Sequence, residues 1–133
     1  MPDVLIPQER QTKMADEIGL EIAIEANTAV VAFKSASLSD VDGIAKVSDQ
    51  IKEFIKENKP KRLIFDFQGV KFFSSQVLGL LLDIRAKLSK HNGEVVISAI
   101  NPQLHRVFKI TNLDKVFKFF PDKESALKIT STD

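Results

Sequence analysis

The chain has 133 residues, with 19 Lys and Arg against 18 Asp and Glu, so its formal net charge is +1. Hydrophobic residues make up 44% and charged residues 28%, the balance of one globular domain (typically about 150 residues) rather than a disordered segment. The near-neutral charge argues against nucleic acid as the main partner, and the lack of cysteine excludes disulfides, thiolate metal centres and a Cys nucleophile.

Residues 1–19 are polar and mixed in charge, with Pro2 and Pro7 and no sustained period, and are expected to form an N-terminal arm. The domain proper is expected over 20–130. Leu20, Ile22 and Ile24 alternate with Glu21, Ala23 and Glu25, the pattern of a half-buried strand. A turn at Ala26-Asn27-Thr28 leads to a second strand over 29–33, so the two predict an antiparallel hairpin. Ser35 to Gly43 is rich in loop formers, and Asp40 or Asp42 can cap a helix with apolar residues at Ile44, Val47, Ile51, Phe54 and Ile55. Asn58-Lys59-Pro60 ends it. Arg62 to Phe67 is a short, nearly continuous apolar run, as in a strand buried on both faces, with Asp66 the exception near its end.

Val77 to Leu88 shows a broad helical face, closed by Asn92 or Gly93 in a left-handed turn. Val95-Val96-Ile97 with Ala99-Ile100 predicts the next strand. Asn101 and Pro102 open a helix whose buried stripe is Leu104, Val107 and Phe108. A last strand is expected over 116–120 and a terminal helix, capped by Asp122, through Ile129. The order β-β-α-β-α-β-α-β-α implies right-handed crossovers and parallel pairing of the last three strands, within a sheet made mixed by the opening hairpin.

Enzymatic chemistry lacks a set of residues. The five glycines fit no phosphate-binding loop, and no serine stands in a G-x-S-x-G elbow. His91 and His105 are too few and too separated for a recognisable metal site, so no metal or cofactor is expected. Asp83 reads as a solvated helix position. No apolar run approaches the ~20 residues of a membrane span, and the first residues lack the apolar core of a secretion signal, so a cytoplasmic protein away from membranes is expected. What stands out is the junction over 66–79, where Ser74 and Ser75 mark the change from loop to helix. One of them is expected to cap that helix through its hydroxyl.

This stretch resembles the STAS domain family, typified by bacterial anti-sigma factor antagonists. Ile64-Phe65-Asp66, Val70, Phe72-Phe73 and Leu78-Gly79-Leu80-Leu81 fall in register with the family signature, and 104–117 and 122–127 look like its later motifs. Asn112 replaces a family glycine, and Asn is the residue that best tolerates a left-handed backbone there. Ser74 stands where the family has Asp. The resemblance implies a single-domain α/β fold with a STAS-like mixed sheet and helices mainly on one face. It also implies a regulator that binds a serine-kinase anti-sigma factor and is phosphorylated at Ser75, with Ser74 as the fallback acceptor. The surface expected to meet the partner comprises Ser74, Ser75, Gln76, Val77 and Leu78, with Asp40 and Asp42 from the 35–43 loop. A homodimer is compatible with this reading.

Three other readings compete. The first is a scaffold or dimerisation module with the same fold and no phosphorylation. The second is a small-ligand or nucleotide site by Asp66 and the 35–43 loop, at the carboxyl ends of the strands. The third is an RNA-binding sheet using Phe65, Phe67, Phe72 and Phe73, which the charge disfavours, since ten phenylalanines without Tyr or Trp suit core filling better.

Overall fold

A computed structural model describes residues 19–25 and 28–131. The arm expected over 1–19 lies outside these residues except for Gly19, as do Ala26 and Asn27 of the first turn. Five strands form one sheet in the order β1-β2-β4-β6-β7: β1 (Leu20–Glu25), β2 (Thr28–Phe33), β4 (Arg62–Asp66), β6 (Glu94–Ser98) and β7 (Lys118–Phe120). β1 pairs antiparallel with β2, and the remaining pairs are parallel. The sheet is mixed, as expected.

Alternation along the central strands divides the molecule into two layers of unequal thickness. Ala29, Val31, Leu63, Phe65, Val95 and Ile97 face one side, while Val30, Ile64 and Val96 face the other. Strands buried on both faces need apolar residues at every position, which is why their sequences look continuous rather than alternating. Helices α1 (Val41–Asn58), α2 (Ser75–Ser89) and α3 (Pro102–Ile110) cover the first face through stripes such as Ile44, Val47, Ile51 and Ile55. Helix α4 (Lys123–Ser131) covers the second, with Ala126 buried against Val30, Ile64 and Val96. Within the thicker layer, Phe33, Phe67, Phe73 and Phe108 meet edge to face in succession, with centroids 5.4, 5.8 and 5.9 Å apart. This geometry suits the ring quadrupoles and fills the core.

Several element ends are set by local chemistry. Lys59 and Asn92 take left-handed conformations after α1 and α2 (φ 45° and 62°), and Asn112 does so after α3 (φ 64°). Gly93 follows Asn92 because a side chain there would lie 3.0 Å from the Lys61 carbonyl oxygen. Two expectations shift. The strand expected through Ile100 stops at Ser98, because Ala99 turns left-handed (φ 58°) while its N–H donates to the Phe120 carbonyl. The strand expected from Val116 begins at Lys118, because Leu113–Lys115 forms a 3-10 turn that draws the Val116 N–H back to Leu113.

Candidate functional site

The sequence reading missed two strands, and they build the site. β3 (Ser37–Leu38) and β5 (Phe72–Phe73) form a separate parallel pair, Ser37 beside Phe72 and Leu38 beside Phe73. With a period of two, Leu38 and Phe73 enter the core while Ser37 and Phe72 face solvent. Each strand runs almost directly into a helix. Because the strands are parallel, α1 and α2 begin side by side. The Ser74 N–H extends the pairing by donating to the Leu38 carbonyl oxygen at 3.0 Å.

The two helix starts differ electrostatically. Asp40 sits in the cap position of α1 and accepts the Gly43 N–H through Oδ2 at 3.0 Å, and Asp42 lies in the first turn. Both are exposed and complement the partial positive charge of that end. The first turn of α2 holds no acidic residue. Ser74 occupies its cap position with extended backbone (φ −88°, ψ 169°), yet its side chain makes no capping bond. Its Oγ is buried without a hydrogen-bond partner. The expected serine cap is therefore absent: the hydroxyl is turned under the surface, and the Ser74 carbonyl instead accepts the Val77 N–H at 3.0 Å.

Of the residues expected at the partner surface, Ser75 and Gln76 are exposed at the start of α2, and Leu78 is half-buried. Asp40 and Asp42 stand at the neighbouring helix start. Val77 does not belong with them: it is 1% exposed and forms part of the core, because its position carries the inward stripe of α2. The expected partner surface also left out two apolar side chains in water at the same corner, Phe72 (53% exposed) and Val41 (56% exposed). Their signal was parity. Phe72 has the opposite parity to the core residue Phe73, and Val41 precedes the first buried turn of α1.

The residues of the competing ligand reading do not converge in this way. Asp66 is bonded locally, its Oδ1 accepting the Gln68 N–H at 3.2 Å and the Ser98 hydroxyl at 3.4 Å. By alternation with Ile64 it lies on the α4 face, whereas Leu38 of the 35–43 loop packs on the other. His105 lies with its ring 4.3 Å from Phe119, and Asp83 pairs with Lys52 at 2.9 Å. Among the described residues, no helix is long and apolar enough to cross a membrane.

A family model of the STAS domain matches residues 21–126. The chain belongs to the STAS domain family. This STAS domain is 22% identical over 110 residues to the anti-sigma F factor antagonist of Paenibacillus polymyxa, covering 83% of the chain and 94% of that protein. It superimposes on the crystal structure of an anti-sigma factor antagonist from Mycobacterium paratuberculosis with a TM-score of 0.75 and 26% identity, covering 89% and 97% of the two chains. The Bacillus cell fate determinant SpoIIAA in its phosphorylated form gives a TM-score of 0.66 and 21% identity, covering 85% and 98%. Of the family-like residues, Phe72 and Phe73 form β5 and Leu78 to Leu81 lie in α2 of this STAS domain, while Asp66 ends β4.

Proposed function

We propose that this STAS domain is a regulatory protein of the anti-sigma factor antagonist type, not an enzyme. It docks a serine-kinase anti-sigma factor on the corner where α1 and α2 begin and is released when Ser75 is phosphorylated. The observation that carries the reading is the setting of Ser75: an exposed hydroxyl on the first residue of a helix whose opening turn has no acidic side chain. In the modification the Ser75 oxygen takes the γ-phosphoryl group of ATP, ADP leaves, and the hydroxyl proton passes to the kinase. The first-turn N–H groups and the helix dipole favour the phosphate, which carries a charge of about −1.5 to −2 at neutral pH. The folded domain therefore tolerates it. A partner packed over Phe72, Val41 and Ser75 does not, because a dianion must lose its water to enter the contact. Ser74 is the poorer acceptor, since its buried hydroxyl is closed to an incoming nucleotide. The names of the similar proteins support the reading, and the cytoplasm is where such a partner is met.

The test pairs modification with binding. The full chain is incubated with its kinase and ATP, and label is mapped by mass spectrometry to Ser75, absent in Ser75→Ala. Ser75→Asp weakens partner binding roughly tenfold or more, the order expected for a charge desolvated in an interface. Label restricted to other serines overturns the switch, and unchanged affinity of Ser75→Asp leaves a phosphorylation-independent scaffold.

A further inference from the structure

Strand β1 opens at Leu20 opposite Phe33, the last residue of β2, and the Lys34 N–H donates to the Gly19 carbonyl oxygen at 3.0 Å. The eighteen residues before Gly19 therefore join the domain at the carboxyl end of β2, where β3 and β5 pair and α1 and α2 begin. From Lys34 the path to the site is short. Ala36 lies two residues on, and its carbonyl oxygen accepts the N–H groups of Lys71 and Phe72 at 2.7 and 3.1 Å. Two hydrogen bonds and two residues of chain thus put Gly19 within roughly 20 Å of Phe72.

That corner keeps Phe72 and Val41 in water, with the exposed carboxylates Asp40 and Asp42 beside them. An exposed apolar side chain standing singly needs no explanation, but these two stand together at the openings of braced elements. The preceding chain carries their complement. Val4-Leu5-Ile6 is its one run of three apolar residues, and residues 8–13 set Arg10 and Lys13 against Glu9 alone, a net +1 to face the two carboxylates. Pro2 and Pro7 bracket the apolar run. A proline interrupts a hydrogen-bonded ladder, so the run suits seating by its side chains better than extension of a sheet. Thirteen residue steps separate Ile6 from Gly19, up to ~43 Å at ~3.3 Å each, about twice the distance to be crossed. A tether of this reach holds the run at an effective concentration on the order of 1 mM, so a contact too weak to retain a free peptide suffices. We propose that Val4, Leu5 and Ile6 seat on Phe72 and Val41 of their own chain, so that the domain covers its own corner until a tighter-binding partner displaces the segment. The competition with a partner rests on the reading of this corner as the partner surface. The covered form divides the affinity for that partner by the share of molecules in which the corner is closed.

Because the chain has no cysteine, Gln8→Cys carries a nitroxide at one position, just beyond the run. Paramagnetic broadening of amide signals in the full chain is expected over residues 37–42 and 71–76. Adding Val4→Asp and Leu5→Asp to the labelled chain removes it, as does Phe72→Ser at an exposed position, although the label stays tethered. Without the label, Val4→Asp with Leu5→Asp raises partner affinity roughly fivefold. Broadening that survives these substitutions comes from the tether alone and overturns the proposal. So does broadening centred on residues 20–25, where the segment would instead lengthen the sheet beside β1. Corner broadening that an isotope-labelled chain receives only from spin-labelled neighbours makes a second copy the occupant and also overturns it. Broadening lost on substitution with partner affinity unchanged upholds the contact and overturns the partner reading of the corner instead.

Discussion

Ser74 and Ser75 share a residue type and a peptide bond, and their hydroxyls have opposite surroundings. That of Ser75 is in water, while that of Ser74 is buried and makes no hydrogen bond. A working serine cap is worth roughly 1 kcal/mol, whereas a buried unpartnered hydroxyl stabilises nothing and carries a desolvation cost. Ser74→Ala is therefore expected to leave the stability within about 0.5 kcal/mol of the parent or to raise it, as read from urea denaturation. A loss above roughly 1 kcal/mol would show that the hydroxyl caps α2 after all. The sequence located this corner through two serines and the apolar residues around them. It could not foresee which hydroxyl turns inward, because that depends on the Ser74 N–H being drawn to Leu38, a residue thirty-six positions away.

At the scale of elements, the periodic segments were legible and the shortest ones were not. Helices α1 and α3 announced themselves by stripes and by the acceptors Asp40 and Asn101, both of which cap as expected. Strands β3 and β5 have two residues each, too few for any period, so they are visible only when their partner is in place. Asn101 shows how one side chain can join elements. Its Oδ1 accepts the Leu104 N–H at 2.9 Å, capping α3, and its Nδ2 donates to the Val70 carbonyl at 3.1 Å, fixing the approach to β5. Asn101→Ala removes both and is expected to cost about 2–3 kcal/mol, while Asp40→Ala, which removes a cap alone, costs about 1 kcal/mol. Asn101→Asp keeps the cap and loses the donor, so its stability in chemical denaturation falls between those of Asn101→Ala and the parent.

The whole molecule is closed by a contact between its first strand and last helix. The Lys123 ammonium group donates to Glu25 Oε2 at 3.2 Å, and that bond, reinforced by the charge of the carboxylate, raises the Lys123 pKa above its ordinary 10.5. A raised folded-state value means the contribution is fully present below pH 10.5 and is lost as pH climbs through the raised value. Beside it, the Ser125 N–H lowers the Asp122 pKa below 3.8, a contribution present above that pH and lost as acid protonates the carboxylate. Melting temperatures of the parent and of Glu25→Gln are expected to differ near neutrality and to converge above pH 10.5, as Lys123 loses its proton. Curves that stay parallel through the alkaline limb would remove the contact from the stability of the fold. The pairing of β3 with β5 has a final consequence. Under the proposed switch, a modifying enzyme that reaches Ser75 would meet no pliable loop that it can draw out straight into its cleft. It meets a braced shoulder whose peptide N–H one residue earlier is already committed, so recognition must work by fit to a solid shape, and a short linear copy of the same residues is not an equivalent substrate.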